Sequence, residues 1–100
     1  MLLETEIDVM EHALGLSRAW DTHGYHYKRH GKQYLKSYRN YFQTEETHKP
    51  YFDIWEKLYK EGFADKWINN NLGKDYLYYG VSDKGIEQLQ KQQNYSIKFI

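Results

Sequence analysis

The clearest pattern of apolar positions lies at the start of the chain. Apolar side chains recur there every three or four residues, at Leu3, Ile7, Met10 and Leu14. This spacing places them on one face of an α-helix, which we expect over residues 5–14. Gly15 ends the predicted helix, because glycine readily adopts the left-handed conformation that follows many helix C-termini.

The second half of the chain changes repeatedly between helical and strand-like patterns. Pro50 fits the first turn of a helix, where its missing N–H costs nothing, and Gly62 ends that helix. The elements predicted here are, in order, a helix over residues 50–61, a strand over 64–68, a hairpin tip over 69–73, a strand over 76–81, a helix from Ser82 to about Gln92, and a terminal strand through Tyr95, Ile97 and Phe99. The mixture predicts an α+β protein, and 100 residues suit a single domain.

The middle of the chain is rich in aromatic residues and less regular. Residues 17–33 show no sustained apolar period, so we expect either a loop or a short hairpin through Tyr25 and Tyr27. After them, aromatic and apolar residues recur at three- and four-residue spacing, at Tyr34, Leu35, Tyr38, Tyr41 and Phe42. This spacing predicts an amphipathic helix over about residues 33–43.

The order helix, glycine, hairpin, helix resembles the wing region of bacterial winged-helix proteins. In that family a helix that ends in a glycine and an apolar residue leads into a hairpin, and a turn containing Ser or Thr and a glycine leads into the final helix. The matching phrases here are Lys57–Phe63 and Val81–Ile86. The resemblance implies a winged-helix-like fold with three or four helices and a two-stranded β-hairpin as the wing.

A longer pattern looks like that of small uncharacterised proteins encoded by phages and prophages. Those proteins combine an acidic first helix, ending in a His-Ala-Leu-Gly-Leu-like phrase, with an Arg-Asn-aromatic phrase and the same helix, hairpin and last turn. The matching phrases here are His12–Leu16 and Tyr38–Phe42, within a likeness that spans most of residues 3–90. Residues 17–33 depart from it by being longer and more basic. The resemblance implies a small accessory protein without indicating an activity.

The composition excludes several classes of protein. The chain has no cysteine, which excludes disulfides and thiol ligands and fits an intracellular protein. No apolar run approaches the roughly 20 residues that span a bilayer, and the N-terminus lacks a signal-peptide pattern. We therefore expect a cytoplasmic protein without a membrane partner or cofactor. Since no nucleophile elbow, phosphate loop or catalytic triad is evident, we do not expect an enzyme.

A net charge of zero conceals an uneven distribution. Residues 1–16 carry four acidic side chains and no basic one, whereas residues 17–43 carry six basic side chains and one acidic. The candidate binding surface in this second segment consists of Tyr25, Tyr27, Lys28, Arg29, Lys32, Lys36 and Arg39. Arg and Lys neutralise phosphates, and tyrosine stacks on bases or packs against a protein partner. The other interpretation is a solvated helix face beside tyrosines of the core.

Two further patterns bear on specific chemistries. His23, His26 and His30 are spaced as zinc ligands can be, but no cysteine reinforces them, so we predict no metal site. The helix over residues 50–61 would enter the DNA major groove in a winged-helix protein. Its expected exposed charges are three acids and two bases, at Asp53, Glu56, Lys57, Lys60 and Glu61. Because DNA is a polyanion, this surface argues against that role.

These observations predict a non-catalytic protein that binds a macromolecule. One hypothesis is nucleic-acid binding or regulation through the basic and aromatic surface. The alternative is a protein-binding module, such as an inhibitor of a host defence protein. The terminal strand Tyr95–Phe99 would have unpaired edges in a monomer, so a strand-mediated homodimer is a further expectation.

Overall fold

The computed structural model describes residues 1–16, 26–29, 32–37 and 39–99, with residues 26–29 and 32–36 described by their backbone. These residues form an α+β fold with three helices and six strands. The elements are α1 (Glu4–Leu14), β1 (His26–Arg29), β2 (Lys32–Ser37), β3 (Phe42–Thr44), α2 (Tyr51–Lys60), β4 (Ala64–Asn71), β5 (Lys74–Val81), α3 (Asp83–Gln93) and β6 (Tyr95–Phe99). No helix in this part of the chain is long and apolar enough to cross a membrane.

The strands form two sheets of three. In the first, β5 lies between β3 and β4 and is antiparallel to both. In the second, β2 lies between β1 and β6, antiparallel to β1 and parallel to β6. Strand β6 therefore returns the end of the described chain to the segment that precedes β3.

The hairpin formed by β4 and β5 confirms the predicted pair of strands but is longer than predicted. The two strands pair residue for residue from Ala64 opposite Val81 to Asn71 opposite Lys74. Only Leu72 and Gly73 remain for the turn, with φ values of 54° and 78°. Two residues with positive φ are typical of the tight turns whose twist matches that of a hairpin.

One hydrophobic cluster joins the three helices to the first sheet. Trp55 of α2 stacks on Tyr79 of β5 with ring centroids 5.7 Å apart and planes inclined by 15°, and both side chains are fully buried. Helix α1 contacts β5, α2 contacts β4, and α3 contacts both β5 and β6. The remaining large buried side chains include Met10, Leu14, Leu16, Leu58, Leu89 and Tyr95. The helices thus cover one face of the first sheet, which we call the inner face.

The three helices predicted from apolar stripes are present at residues 4–14, 51–60 and 83–93. Gly15 adopts the left-handed conformation after α1, with φ 74°, as the sequence predicts. Ser82 precedes α3 and its hydroxyl accepts a hydrogen bond from the Gly85 N–H at 3.1 Å, so the predicted cap is also present. The predicted terminal strand is β6.

The helix predicted over residues 33–43 is wrong. This segment instead contains β2 and β3, and a strand through Tyr27, β1, pairs with β2. Aromatic residues favour strands, and β2 has partner strands on both sides, one of them at the far end of the sequence. The fully buried Ser37 ends β2, with its hydroxyl oxygen 2.7 Å from the Leu14 carbonyl oxygen and 2.8 Å from that of Arg39.

Gly85 provides a test of the packing between α3 and the hairpin. A Cβ atom at this position would collide with the Phe63 carbonyl oxygen and lie 2.8 Å from Val81 Cγ1. We expect Gly85→Ala to lower the free energy of unfolding by about 3 kcal/mol, measured by urea denaturation.

The matched control is Gly73→Ala at the hairpin tip, where a Cβ atom meets nothing within 4 Å. Its cost should be only about 1 kcal/mol, because the left-handed conformation (φ 78°) alone opposes the side chain. If the two variants lose the same free energy of unfolding, the close packing around Gly85 does not make a substitution there more costly, and the prediction is wrong.

Candidate functional site

The face of the first sheet opposite the helices, which we call the outer face, carries aromatic side chains. Successive residues of a strand point to opposite faces, so the inward position of Tyr79 directs Tyr78 and Tyr76 outward. Trp67 of β4 lies directly opposite Tyr78 in the register. The two rings are stacked, with centroids 5.8 Å apart and planes inclined by 10°.

Tyr41 and Arg39 extend this stack toward the end of the sheet. The Tyr41 ring meets the Tyr78 ring edge-on, with centroids 6.3 Å apart and an interplanar angle of 69°. The guanidinium carbon of Arg39 lies 6.0 Å from the centre of the Tyr41 ring. We call Tyr41, Tyr78 and Trp67 the aromatic row, and Arg39 lies at its end.

Asn40 fixes the segment that carries Arg39 and Tyr41. Its side-chain amide bonds both backbone groups of Val81, accepting from the N–H at 2.7 Å and donating to the carbonyl at 2.9 Å. The Tyr41 N–H donates to the Ala13 carbonyl at 3.2 Å. These bonds hold Tyr41 beside β5 although it precedes β3 and belongs to no strand.

Arg39 is also tied to helix α1. Its Nη2 donates to the carbonyl oxygen of His12, in the last turn of that helix, at 2.7 Å. A cation at this position complements the negative end of the helix dipole. The bond to His12 therefore holds the guanidinium in place beside Tyr41.

Because Gly80 has no side chain, the Trp67 ring can pack directly against the backbone of β5. A Cβ atom at Gly80 would stand 3.1 Å from Cζ3 of the Trp67 ring and 3.1 Å from the Asn40 carbonyl oxygen. The indole therefore covers the backbone of the neighbouring strand at the one position without a side chain. This arrangement fixes the ring orientation without burying it completely.

The aromatic row is reachable from solvent. Tyr41 is 52% exposed, and Trp67, Tyr76 and Tyr78 are half-buried. Beyond Tyr78, Lys74 places its ammonium 5.4 Å from the Tyr76 ring. An open depression of about 460 Å³ follows, lined by Gln43, Asn69, Asn70, Asn71, Tyr76 and Tyr78. The outer face thus offers aromatic rings, amides and cations side by side.

The structure distributes the predicted binding residues over two places. Tyr27, Lys28 and Arg29 lie on β1, and Lys32 and Lys36 lie on β2. The register pairs Arg29 with Lys32 across this hairpin. Arg39 lies at the aromatic row, and Tyr25 falls outside the described residues. That these residues bind a partner stays a prediction.

The histidine cluster is only partly within the described residues. His23 and His30 lie outside them, and the backbone places His26 at the start of β1. In the described part of the chain, no group of three His, Asp or Glu side chains is arranged to hold a metal ion.

Helix α2 is attached to the inner face by a charged residue that was expected to face water. One carboxylate oxygen of Glu56 accepts hydrogen bonds from the Tyr79 hydroxyl at 2.5 Å and the Lys66 ammonium at 2.9 Å. The bonds from Tyr79 and Lys66 lower the pKa of Glu56. Burial raises the pKa of Tyr79, and the bond to Glu56 raises it further.

Lys57 of α2 was also expected to face water. Its side chain is exposed, but its ammonium lies 3.2 Å from the carboxylate of the buried Glu6 on α1. Two of the charged residues expected only at the surface, Glu56 and Lys57, therefore join α2 to its neighbours.

No protein-family model, curated protein or solved structure matches this chain. The geometry of its residues defines an α+β protein with an exposed aromatic face on an antiparallel sheet.

Trp67 and Tyr78 are site residues that the sequence pattern alone did not predict. Their signal is the alternation along the two predicted strands, in which Tyr76, Tyr78 and Gly80 share one side. The two-residue turn at Leu72 and Gly73 brings Trp67 opposite Tyr78. The longer tip predicted over residues 69–73 leaves the pairing of the two strands undetermined. Tyr41 was missed for a different reason, because its spacing predicts a helix.

The contact between Tyr79 and Glu56 predicts a pH-dependent stability. The folded pKa of Glu56 is lowered, so its contribution is present above the ordinary pKa of 4.5 and is lost as pH falls through the folded value. We expect Tyr79→Phe to cost about 2 kcal/mol at neutral pH and less in acid. The measurement is urea denaturation at a series of pH values.

Tyr51→Phe is the matched control, because it removes the same hydroxyl group from an exposed tyrosine on α2, the helix that carries Glu56. It should change the free energy of unfolding by less than about 0.5 kcal/mol at every pH. A loss in Tyr79→Phe that stays constant down to acid pH would contradict the role assigned to Glu56.

Proposed function

We propose that this protein is a non-catalytic binder of single-stranded nucleic acid and that the outer face of the first sheet is its contact surface. The observation that carries the proposal is the aromatic row, with Tyr41, Tyr78 and Trp67 side by side on a sheet and Arg39 at the end. Unpaired bases stack on aromatic rings on such surfaces, while cations beside the rings contact the phosphates.

The cations near the row suit this ligand. Arg39 is held at the end of the row next to Tyr41, and Lys74 lies beside Tyr76, the next outward-facing ring on β5. Asn and Gln side chains of the adjoining depression supply donors and acceptors for base edges. The basic residues predicted from the sequence, Lys28, Arg29, Lys32 and Lys36, add positive charge on the hairpin of β1 and β2.

A single strand suits the surface better than a duplex. We propose that residues 51–93 are a winged-helix-like unit, since they follow the order helix, glycine, hairpin, helix. Only α2 lies between β3 and β4, whereas a helix-turn-helix needs two successive helices. Helix α2 also uses Glu56 to bind the sheet and leaves Asp53 exposed. In this proposal the wing sheet replaces the helix as the binding element.

The biological setting is part of the same proposal. The likeness of the phrases His12–Leu16 and Tyr38–Phe42 to those of small phage and prophage proteins supports an accessory protein that acts in the cytoplasm. The second phrase includes Tyr41 of the aromatic row, Arg39 at the end of the row, and Asn40, which binds this segment to β5.

Removing one ring from the row tests the proposal. We expect Trp67→Ala and Tyr78→Ala each to weaken binding of a short labelled oligodeoxythymidine by about 1–3 kcal/mol, or roughly 5- to 150-fold, because each ring stacks on a base. Fluorescence anisotropy at several salt concentrations gives the affinity, which should fall as salt rises.

Tyr59→Ala is the matched control, since Tyr59 is a 46%-exposed ring on α2, away from the outer face. It should bind as the unaltered protein does, and circular dichroism should show that all three variants are folded. Equal weakening by Tyr59→Ala, or tighter binding of a blunt duplex than of the single strand, would refute the proposal.

A protein partner is the second candidate for the same surface. Trp, Tyr and Arg are the residue types that dominate protein interfaces, and the exposed Asp65 opposite Gly80 moderates the positive charge of the outer face. Affinity purification from nuclease-treated and untreated host lysate separates the candidates. A protein retained after nuclease treatment by the unaltered chain, and lost with Trp67→Ala, would favour this one.

A further inference from the structure

Strand β4 is a long edge strand of the first sheet. Among the residues that the structure describes, its eight residues pair with β5 on one side only, in an unbroken register without a bulge or proline. Proteins usually protect such edges with short strands, bulges, prolines or exposed lysines, because unpaired backbone groups recruit another strand. The opposite edge strand, β3, has only three residues.

The turn determines which backbone groups of β4 are available. A two-residue turn is closed by a hydrogen-bonded pair, here Asn71 and Lys74. Hydrogen-bonded and non-hydrogen-bonded pairs alternate along an antiparallel ladder, so Trp67 and Asn69 bond to β5. The N–H and C=O groups of Lys66, Ile68 and Asn70 therefore point away from the sheet.

The side chains at the centre of this edge favour pairing with the same strand of a second copy of the chain. Ile68 is 62% exposed, although it is a large apolar residue in a regular strand. The charged residue nearest to Ile68 along β4 is Lys66, whose ammonium is bonded to Glu56 at 2.9 Å. No unpaired like charges would face each other if two copies of the edge met around Ile68.

We infer that β4 pairs antiparallel with β4 of a second copy of this chain, with Ile68 opposite Ile68. A twofold axis perpendicular to the sheet keeps the two inner faces on the same side, so residues that face each other must share a face. The register centred on Ile68 meets this condition. It pairs the outward backbone groups of residues 66–70 and covers the exposed apolar side chain.

Strand β6 is less suited to this contact. It is the edge of the second sheet, but the Gln90 side chain of α3 already accepts the Ile97 N–H at 2.9 Å. The dimer expected from the terminal strand is thus assigned to β4. The pairing joins two copies of the first sheet into one of six strands with both aromatic rows on the same face, and it does not depend on the proposed function.

Sedimentation velocity over a range of protein concentrations tests the pairing in the absence of nucleic acid. We expect a species of twice the chain mass of 12.2 kDa. Ile68→Lys places two ammonium groups opposite each other and should shift the protein to monomer. Leu72→Lys makes the same change at the 99%-exposed hairpin tip, outside the paired residues, and should leave the dimer intact.

A single introduced cysteine tests the register, because the chain has no cysteine of its own. Directly opposed residues of a hydrogen-bonded pair have Cα atoms about 5.5 Å apart, which a disulfide can span. Ile68→Cys should form a covalent dimer under mild oxidation, and Leu72→Cys should form it much more slowly. A monomeric unaltered protein, a dimer that survives Ile68→Lys, or equal cross-linking of the two cysteine variants would each overturn the inference.

Discussion

The contact of Tyr79 with Trp55 and Glu56 determines how the first sheet is oriented. Tyr79 is fully buried, stacks on the indole of α2 and donates its hydroxyl to the Glu56 carboxylate. A slip of one residue in a strand moves every side chain to the other face, so this anchor fixes the whole of β5. Tyr78 must then point to the opposite face, and the register brings Trp67 beside it. The core contact and the exposed aromatic row are consequences of one alternation.

Local patterns predicted the elements that local interactions specify. Helices α1 and α2 have apolar stripes and are followed by Gly15 and Gly62, and α3 begins at a serine cap. The segment after residue 32 was misassigned, because its aromatic spacing fits a helix while its hydrogen bonds go to β1 and β6. The pairing of β2 with β6, some sixty residues away, cannot be predicted from the local spacing of apolar residues.

The details of the candidate site were harder to predict than the fold. The row joins Tyr41, Tyr78 and Trp67 from three segments, and Asn40 creates the junction by bonding a backbone in place of a strand. The spacing of residues in the sequence does not predict such a bond. The position of the turn was also difficult to predict, because Leu72 adopts a positive φ that leucine rarely takes, whereas the three preceding asparagines tolerate it better. The sequence indicated a basic and aromatic surface near Arg39 without indicating the sheet face beyond it.

The side-chain amide of Asn40 has a consequence for the size of any assembly. It occupies both backbone groups of Val81 at the end of the ladder where β3 has not yet begun, and β3 itself is only three residues long. That border of the sheet offers another strand at most the three residues of β3, whereas β4 at the other border has eight residues, paired on one side only within the described part of the chain. If β4 pairs with a second copy as we propose, the joined sheet is left with only two short edge strands, and such strands are poor templates for further pairing, so growth stops at the dimer and does not continue into a filament.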